Sequence, residues 1–131
     1  MNHRSADVPR PDLAADRAAS NASYGEIVCC LSEILRKTLT AYVAGVRDSV
    51  TIDRWASDVE LPPAEASSRL RRTYVIALTL CSSDAPSVFQ AWFTGLNPEF
   101  DDRSPIRLGA EGGEAEAKVV FGAARLFCAV G

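Results

Sequence analysis

A chain of 131 residues has the usual size of one domain and can bury one hydrophobic core without disulfide or metal staples. Apolar residues make up 47% of the sequence and charged residues 24%, which excludes a wholly disordered or collagen-like chain. The formal net charge of -3 gives no global electrostatic argument for nucleic acid or a membrane as partner.

The charge is distributed unevenly along the chain. Residues 36–72 hold seven basic and five acidic side chains, whereas residues 73–131 hold four basic and seven acidic ones. The modestly basic middle permits an approach to DNA through this region, and it is equally typical of a solvated surface.

Four cysteines show neither the spacing of metal ligands nor the density of a secreted disulfide scaffold: Cys29, Cys30, Cys81 and Cys128. We therefore expect reduced thiols that fill small spaces in the core, although the adjacent Cys29 and Cys30 cannot both face the core from one helix. The N-terminus lacks an apolar leader, and no stretch is long enough to span a bilayer. The cytoplasm is the expected location.

Residues 1–22 are poor in large apolar side chains and are predicted to form a mobile tail. At Ser23 the pattern changes to that of an amphipathic helix, with Ser23 as N-cap and Glu26 as its capping-box partner. The apolar positions of this helix are Ile27, Cys30, Leu31, Ile34 and Leu35.

Two short helices follow in the sequence. In "TLTAYVAGV", Thr40 is predicted to cap a helix that ends near Gly45, a residue suited to a left-handed C-cap. In "SVTIDRWASD", Ser49 is predicted to be the N-cap of a two-turn helix. Its apolar stripe consists of Ile52, Trp55 and Ala56.

Two short helices joined by a tight turn are typical of a helix-turn-helix, which places its second helix in the major groove of DNA. Polar side chains on and beside the second helix are the candidate DNA contacts: Arg47, Ser49, Thr51, Asp53, Arg54 and Ser57. Arg54 suits a guanine edge or a phosphate. Against this reading, Asp48, Asp53 and Asp58 would be repelled by the phosphate backbone.

The segment "LPPAEASSRLRRTYVIALTLCSS" predicts a long buried helix that starts at Pro62 and Pro63. Its predicted apolar face is Ala66, Leu70, Tyr74, Ala77, Leu78 and Cys81. Arg69, Arg71 and Arg72 near its first turns either contact a phosphate backbone or are solvated and paired with carboxylates.

The C-terminal third begins with a predicted aromatic helix, capped by Asp84 and closed by Gly95 and the Asn97-Pro98 pair. The stretch "DDRSPIRLGAEGGEA" is turn-rich, and a last helix is predicted over residues 117–130. No strand pattern competes anywhere, so the predicted fold is all-α with roughly five to six helices.

The order of these parts resembles the Xre/ParS-type (MbcA-like) antitoxins of type II toxin–antitoxin systems. The resemblance covers about residues 25–131 and rests on "TIDRW", then "RLRRTYVIALTL", then "AWFTGLNPEFDDRSPIRLGAEGG". The C-terminal motif of that family is matched by Trp92, Phe93, Asn97, Pro98, Phe100, Pro105, Leu108 and Gly109.

The resemblance implies two regions with two functions. A helix-turn-helix region, residues 23–82 with its recognition helix at 49–57, would dimerise and repress its own operon. Residues 83–131 would bind a partner toxin, usually one of RES-type fold that degrades NAD. The residues expected at this toxin-binding or dimer interface are Trp92, Phe93, Asn97, Pro98, Leu108, Glu111, Glu114 and Phe127. Asn97 and Pro98 are expected to act structurally, through a turn that fixes the angle between two helices.

The chain departs from the family pattern at two places. Asp58 stands where the family commonly has a glycine, and Asp tolerates a left-handed backbone less well than Gly does. In the linker, Gly112 and Gly113 add flexibility. The carboxylates of Glu111, Glu114 and Glu116 either mimic the negative charge of a dinucleotide in a basic toxin pocket or belong to a solvated loop.

Catalysis is not expected, because the only histidine, His3, lies in the predicted tail and no nucleophile has an evident base partner. No cofactor or metal is expected either. Two other functions stay open: a stand-alone DNA-binding regulator, and an interaction module without DNA affinity. We expect a homodimer through exposed C-terminal aromatic residues, drawn from Phe89, Trp92, Phe93, Phe100 and Phe121.

Overall fold

In the computed structural model, which describes residues 21–81 and 86–130, the described elements are helical and include no strand, as the sequence predicted. The α-helices named within these residues are α1 (Tyr24–Ala44), α2 (Ser49–Ala56), α3 (Ala64–Cys81), α4 (Pro86–Thr94), α5 (Pro105–Glu111) and α6 (Glu114–Val130). A 3-10 helix covers Pro98–Phe100. The predicted cap Asp84 and residues 1–20 of the predicted tail lie outside the described residues, and Ala22 already packs against the core.

The predicted capping box opens α1. The Ser23 hydroxyl accepts the backbone N–H of Glu26 at 3.1 Å, and the Glu26 carboxylate accepts the backbone N–H of Ser23 at 3.1 Å. This reciprocal pair satisfies two amide groups that a helix N-terminus otherwise leaves without partners.

The break within α1 lies at Arg36 and not at Thr40, where the sequence had predicted a cap. Arg36 has φ 74° and ψ 161°, a backbone conformation outside the helical region. The Thr40 hydroxyl instead donates back to the Arg36 carbonyl at 2.9 Å, as threonine commonly does inside helices. On the other side of the break, the side-chain amide of Gln90 in α4 donates to the Ile34 carbonyl.

Four residues connect α1 to α2. Gly45 ends α1 in the left-handed region at φ 81°, as predicted. The N-cap of α2 is Asp48 and not Ser49, because the Asp48 carboxylate accepts the backbone N–H of Thr51 at 2.8 Å and its hydroxyl at 3.0 Å. These two hydrogen bonds lower the pKa of Asp48.

The buried surface of α3 differs from its predicted apolar face. Tyr74 and Leu78 are only partly buried, whereas Thr73, Ile76 and Leu80 are buried. The reason is that α3 packs against α1 and also against α6, so its buried surface is wider than one stripe of apolar residues.

The C-terminal region contains a helix that the sequence analysis missed. Ser104 caps α5, with its hydroxyl accepting the backbone N–H of Arg107 at 3.3 Å, and Pro105 occupies the first helical position. The stretch predicted to be turn-rich is therefore helical over residues 105–111, and α6 starts at Glu114, three residues before the predicted start.

One hydrophobic core receives side chains from both regions. Ile27, Leu31 and Leu70 come from the N-terminal region, and Phe89 and Val120 come from the C-terminal region; all five are fully buried. The helix-turn-helix segment and the C-terminal helices are therefore positioned by the same packed side chains.

Candidate helix-turn-helix surface and C-terminal turn

Helix α2 buries one face and exposes the other, as its apolar stripe predicted. Ile52 is 0% exposed and Trp55 is 2% exposed. The indole N–H of Trp55 is buried and has no hydrogen-bond partner within the described residues. Asp53, Arg54 and Ser57 lie on the exposed side.

Four of the candidate DNA contacts already have partners within the chain. Asp53 pairs with Lys37 at 2.7 Å, and the Arg54 Nε pairs with Glu60 at 2.8 Å. Ser57 donates its hydroxyl to the Asp53 carbonyl at 2.5 Å, and Thr51 donates its hydroxyl to Asp48 at 3.0 Å. The other two candidates are also exposed: Arg47 lies before α2, and Ser49 is its first residue.

These partners do not by themselves close the surface to a ligand. Both ion pairs are about half exposed on each side, and exposed ion pairs contribute only about 0–1 kcal/mol. A phosphate can therefore replace Glu60 as the partner of Arg54 at small cost. The exposed carboxylates of Asp48 at the N-terminus of α2 and of Asp53 within it remain an opposing charge.

The three arginines of α3 do not form one basic cluster. Arg69 donates to the carbonyls of Val43 at 3.0 Å and Ala44 at 3.1 Å, which completes the C-terminus of α1. The guanidinium of Arg71 lies 4.8 Å from the centre of the Tyr24 ring. Arg72 faces a groove shared with α6. Residues one and two positions apart on a helix point in different directions, which separates Arg71 from both Arg69 and Arg72.

Asp58 occupies the left-handed position that ends α2. Its φ is 60°, its N–H bonds to the Trp55 carbonyl at 3.1 Å, and the N–H of Val59 bonds to the Arg54 carbonyl at 3.0 Å. This is the Schellman arrangement, which usually places glycine at this residue. Asp58, which replaces the glycine common in the antitoxin family, therefore stands at a position that requires a left-handed backbone.

The turn after α4 is held by the backbone of Asn97. Its carbonyl accepts the N–H groups of Phe100 at 2.9 Å and Asp102 at 3.0 Å, and its own N–H donates to the Arg103 carbonyl at 3.2 Å. Asp101 and Asp102 both have positive φ, at 56° and 61°, so the chain reverses tightly before α5.

The residues expected at the toxin or dimer interface differ in exposure. Phe93 and Leu108 are buried in the core. Trp92 and Phe127 are partly buried against each other, with ring centres 6.0 Å apart. Pro98 is exposed and Asn97 is partly buried.

The acidic linker is more ordered than the sequence suggested. Glu111 accepts hydrogen bonds from the Tyr42 hydroxyl at 3.1 Å and from Arg107 Nε at 3.2 Å, and these bonds lower its pKa. The carboxylate of Glu116 accepts the backbone N–H of Gly113 at 2.7 Å, which lowers the pKa of Glu116. Glu114 is exposed.

The expectation that exposed C-terminal aromatic residues form an interface was wrong for three of the five candidates. Phe89, Phe93 and Phe100 are buried, and Trp92 and Phe121 are partly buried. An aromatic run indicates a core and an interface equally well, so composition could not separate them. The large apolar side chains that are more than half exposed are instead Val50, Val59, Leu61, Leu96, Val119 and Leu126.

The cysteines Cys29 and Cys30 are reduced, and Cys29 is exposed. The expectation that every cysteine fills the core was therefore wrong for Cys29, while the inference that one of the adjacent pair is accessible is confirmed. Within residues 21–81 and 86–130, no group of three potential metal ligands comes together, and no helix has the length and apolar character needed to cross a membrane.

Comparisons with known proteins returned no matching family model, no matching curated protein and no matching solved structure. The likeness to the Xre/ParS-type antitoxins therefore stays a prediction that rests on the order of motifs in the chain.

Proposed function

We propose that this chain is an antitoxin that binds and neutralises a cognate NAD-degrading toxin of RES-type fold and represses its own operon through α1 and α2. In this proposal the protein acts in the cytoplasm as a homodimer, with the toxin and operator DNA as its partners. Neither catalysis nor a cofactor forms part of the proposal.

Helix α2 carries the DNA-binding half of the proposal. It follows α1 after a four-residue connection, buries Ile52 and Trp55, and leaves Asp53 and Arg54 on the exposed face. A short second helix held in this way is what a helix-turn-helix requires, because the recognition helix must be rigid while its polar side remains accessible.

The toxin-binding half rests on the C-terminal helices. The Trp92 to Leu108 segment folds as helix, tight turn and helix, and the closing helix α6 packs on α3 and α5. The observation that carries the whole proposal is this order of parts around one core: helix-turn-helix, long helix, Asn97-Pro98 turn and closing helix.

Co-purification tests the proposal. The tagged chain is expressed with the product of the adjacent gene, and the complex is isolated at two salt concentrations. We expect a stoichiometric complex with a small NAD-consuming protein. Recovery of the tagged chain alone, with the neighbour expressed and soluble, contradicts the toxin-binding half.

An interaction module without DNA affinity is the second candidate function. One observation favours it: Asp53 and Arg54 are engaged in ion pairs within the chain, and Asp48 and Asp53 expose carboxylates at the start of α2 and within it. The affinity for upstream DNA, measured between 50 and 200 mM salt, separates the two. A repressor loses affinity steeply because phosphate contacts release counterions, whereas the interaction module shows no specific binding at either salt concentration.

A further inference from the structure

A groove between α3 and α6 combines an apolar floor with a basic rim. Its volume is about 220 Å³, and it is lined by Arg72, Val75, Ile76, Glu114, Ala117, Lys118 and Phe121. No ion pair or hydrogen bond to Arg72 or Lys118 occurs within the described residues. Arg125 adds a third cation, with its guanidinium 5.5 Å from the centre of the Phe121 ring. Glu114 is the one carboxylate in the lining.

The size of the groove favours a side-chain anchor over a small molecule. Pockets for cofactors and drug-sized ligands start at about 300 Å³ and are deeply enclosed. A smaller apolar groove with cations at its rim instead suits an apolar side chain that is flanked by carboxylates, as at the anchor points of protein interfaces.

The chain itself carries a segment with these properties. Residues 57–63 connect α2 to α3, and their acidic part, called the acidic connection here, is residues 58–61, Asp-Val-Glu-Leu. Val59 is 67% exposed and Leu61 is 73% exposed, which is unusual for two large apolar residues only two positions apart. Asp58 and Glu60 alternate with them, so the segment presents apolar and negative groups together. Glu60 Oε1 binds Arg54, and the second carboxylate oxygen has no partner within the described residues.

The acidic connection precedes the N-terminus of α3, whereas the groove is lined by residues further along the same helix. Leu61 precedes α3, and Arg72 lies eleven positions further on, which is about 16 Å along a helix axis. Two α3 helices related by a two-fold axis perpendicular to them run antiparallel, and this arrangement brings the acidic connection of each chain towards the groove of the other. Such an isologous contact forms twice and buries both complementary surfaces.

We infer that two copies of this chain associate by inserting Val59 and Leu61 of each acidic connection into the α3–α6 groove of the other copy, with Glu60 facing Arg72 and Lys118. The inference specifies the homodimer of the proposed function and rests on it, but it requires neither toxin binding nor DNA binding.

A charge-swap experiment tests this interface. Glu60→Lys and Lys118→Glu are each analysed alone by sedimentation velocity and then mixed in equal amounts. Each variant alone places like charges at both contacts, which costs several kcal/mol, so we expect self-association to weaken about a hundredfold or more. In the mixture both contacts again pair opposite charges, so we expect a heterodimer. The exposed Glu33→Lys is the matched control and should remain dimeric like the wild type.

A further variant tests the apolar part. Leu61→Ser removes an exposed side chain that the monomer does not pack, so helicity by circular dichroism should be unchanged while dimerisation weakens about tenfold or more. A monomeric wild-type chain, dimeric single variants, or a mixture that stays monomeric would each overturn the inference. If the same preparations still bind and silence the toxin, the antitoxin function stands without this interface.

Discussion

Gly25 and Asp58 meet where the first turn of α1 approaches the end of α2. A Cβ added at Gly25 would lie 2.5 to 2.7 Å from the atoms of the Asp58 carboxylate, closer than real contacts allow. Glycine therefore leaves room for the Asp58 carboxylate at this position, and an alanine would require that exposed side chain to move.

We expect Gly25→Ala to stabilise the protein less than helix propensity alone predicts, because the new methyl group forces the Asp58 side chain to move. In an Asp58→Gly background the same change should be more stabilising, since alanine is the better helix former by about 1 kcal/mol. Urea unfolding of the two single variants and the double variant measures the coupling. If Gly25→Ala changes the free energy of unfolding equally in both backgrounds, the Asp58 carboxylate is not the obstacle.

The Tyr42–Glu111 hydrogen bond makes stability depend on pH. Hydrogen bonds from Arg107 and from the Tyr42 hydroxyl lower the pKa of Glu111 in the folded protein. The stability that these bonds contribute is therefore complete above the unfolded pKa of about 4.3, and it is lost as the pH falls through the lower folded pKa. Tyr42→Phe removes one donor. The difference in the free energy of unfolding between pH 7 and pH 3.5 should therefore be smaller than in the wild type.

Glu114→Gln serves as the control for the pH measurement, because Glu114 is exposed and no described residue donates a hydrogen bond to it. It should leave the pH dependence close to that of the wild type. If Tyr42→Phe and Glu114→Gln give the same pH profile, the link from α1 to α5 does not contribute in solution.

At the scale of elements, the break in α1 divides a helix that packs on the core from the short helix that leads to α2. Arg36 holds φ 74° and ψ 161°, a region that is essentially restricted to glycine and costs other residues about 1–3 kcal/mol. The side chain of Arg36 is exposed, so little packing depends on it. Gln90 of α4 satisfies the carbonyl of Ile34, which ties the C-terminal region to the break.

Arg36→Gly should therefore stabilise the protein by about 1 kcal/mol, after the higher entropy of glycine in the unfolded chain is subtracted. The expected rise in Tm is about 4 °C by differential scanning calorimetry. Arg36→Ala keeps the unfavourable backbone and is the matched control, with no rise expected. A lower Tm for Arg36→Gly would mean that α1 is continuous in solution.

Local rules predicted most helices but misplaced features that depend on tertiary contacts. The capping box at Ser23 and the left-handed Gly45 follow from residue type, and both were predicted. The break at Arg36 was missed because no residue there disfavours a helix. Helix α5 was missed although Ser104-Pro105 is a good helix start, because its seven residues lie between segments rich in Gly and Asp.

At the scale of the whole molecule, the sequence predicted the helical fold and the buried stripe of α2 but not the surface. Which aromatic side chains are exposed depends on how α4 and α6 pack, and this packing buried Phe89 and Phe93. The intramolecular partners of Asp53 and Arg54 could not be predicted from the sequence either, because Lys37 belongs to α1 and Glu60 follows the end of α2. The candidate DNA contacts and the interface with a toxin remain predictions.

The measurement that tests the antitoxin proposal most directly is NAD consumption by the purified product of the adjacent gene, with this chain added in increasing amounts. We expect NAD loss to fall to background once the chain reaches the stoichiometry of the co-purified complex. Undiminished NAD loss at a large excess of folded, helical chain would show that the chain is not the antitoxin of this enzyme.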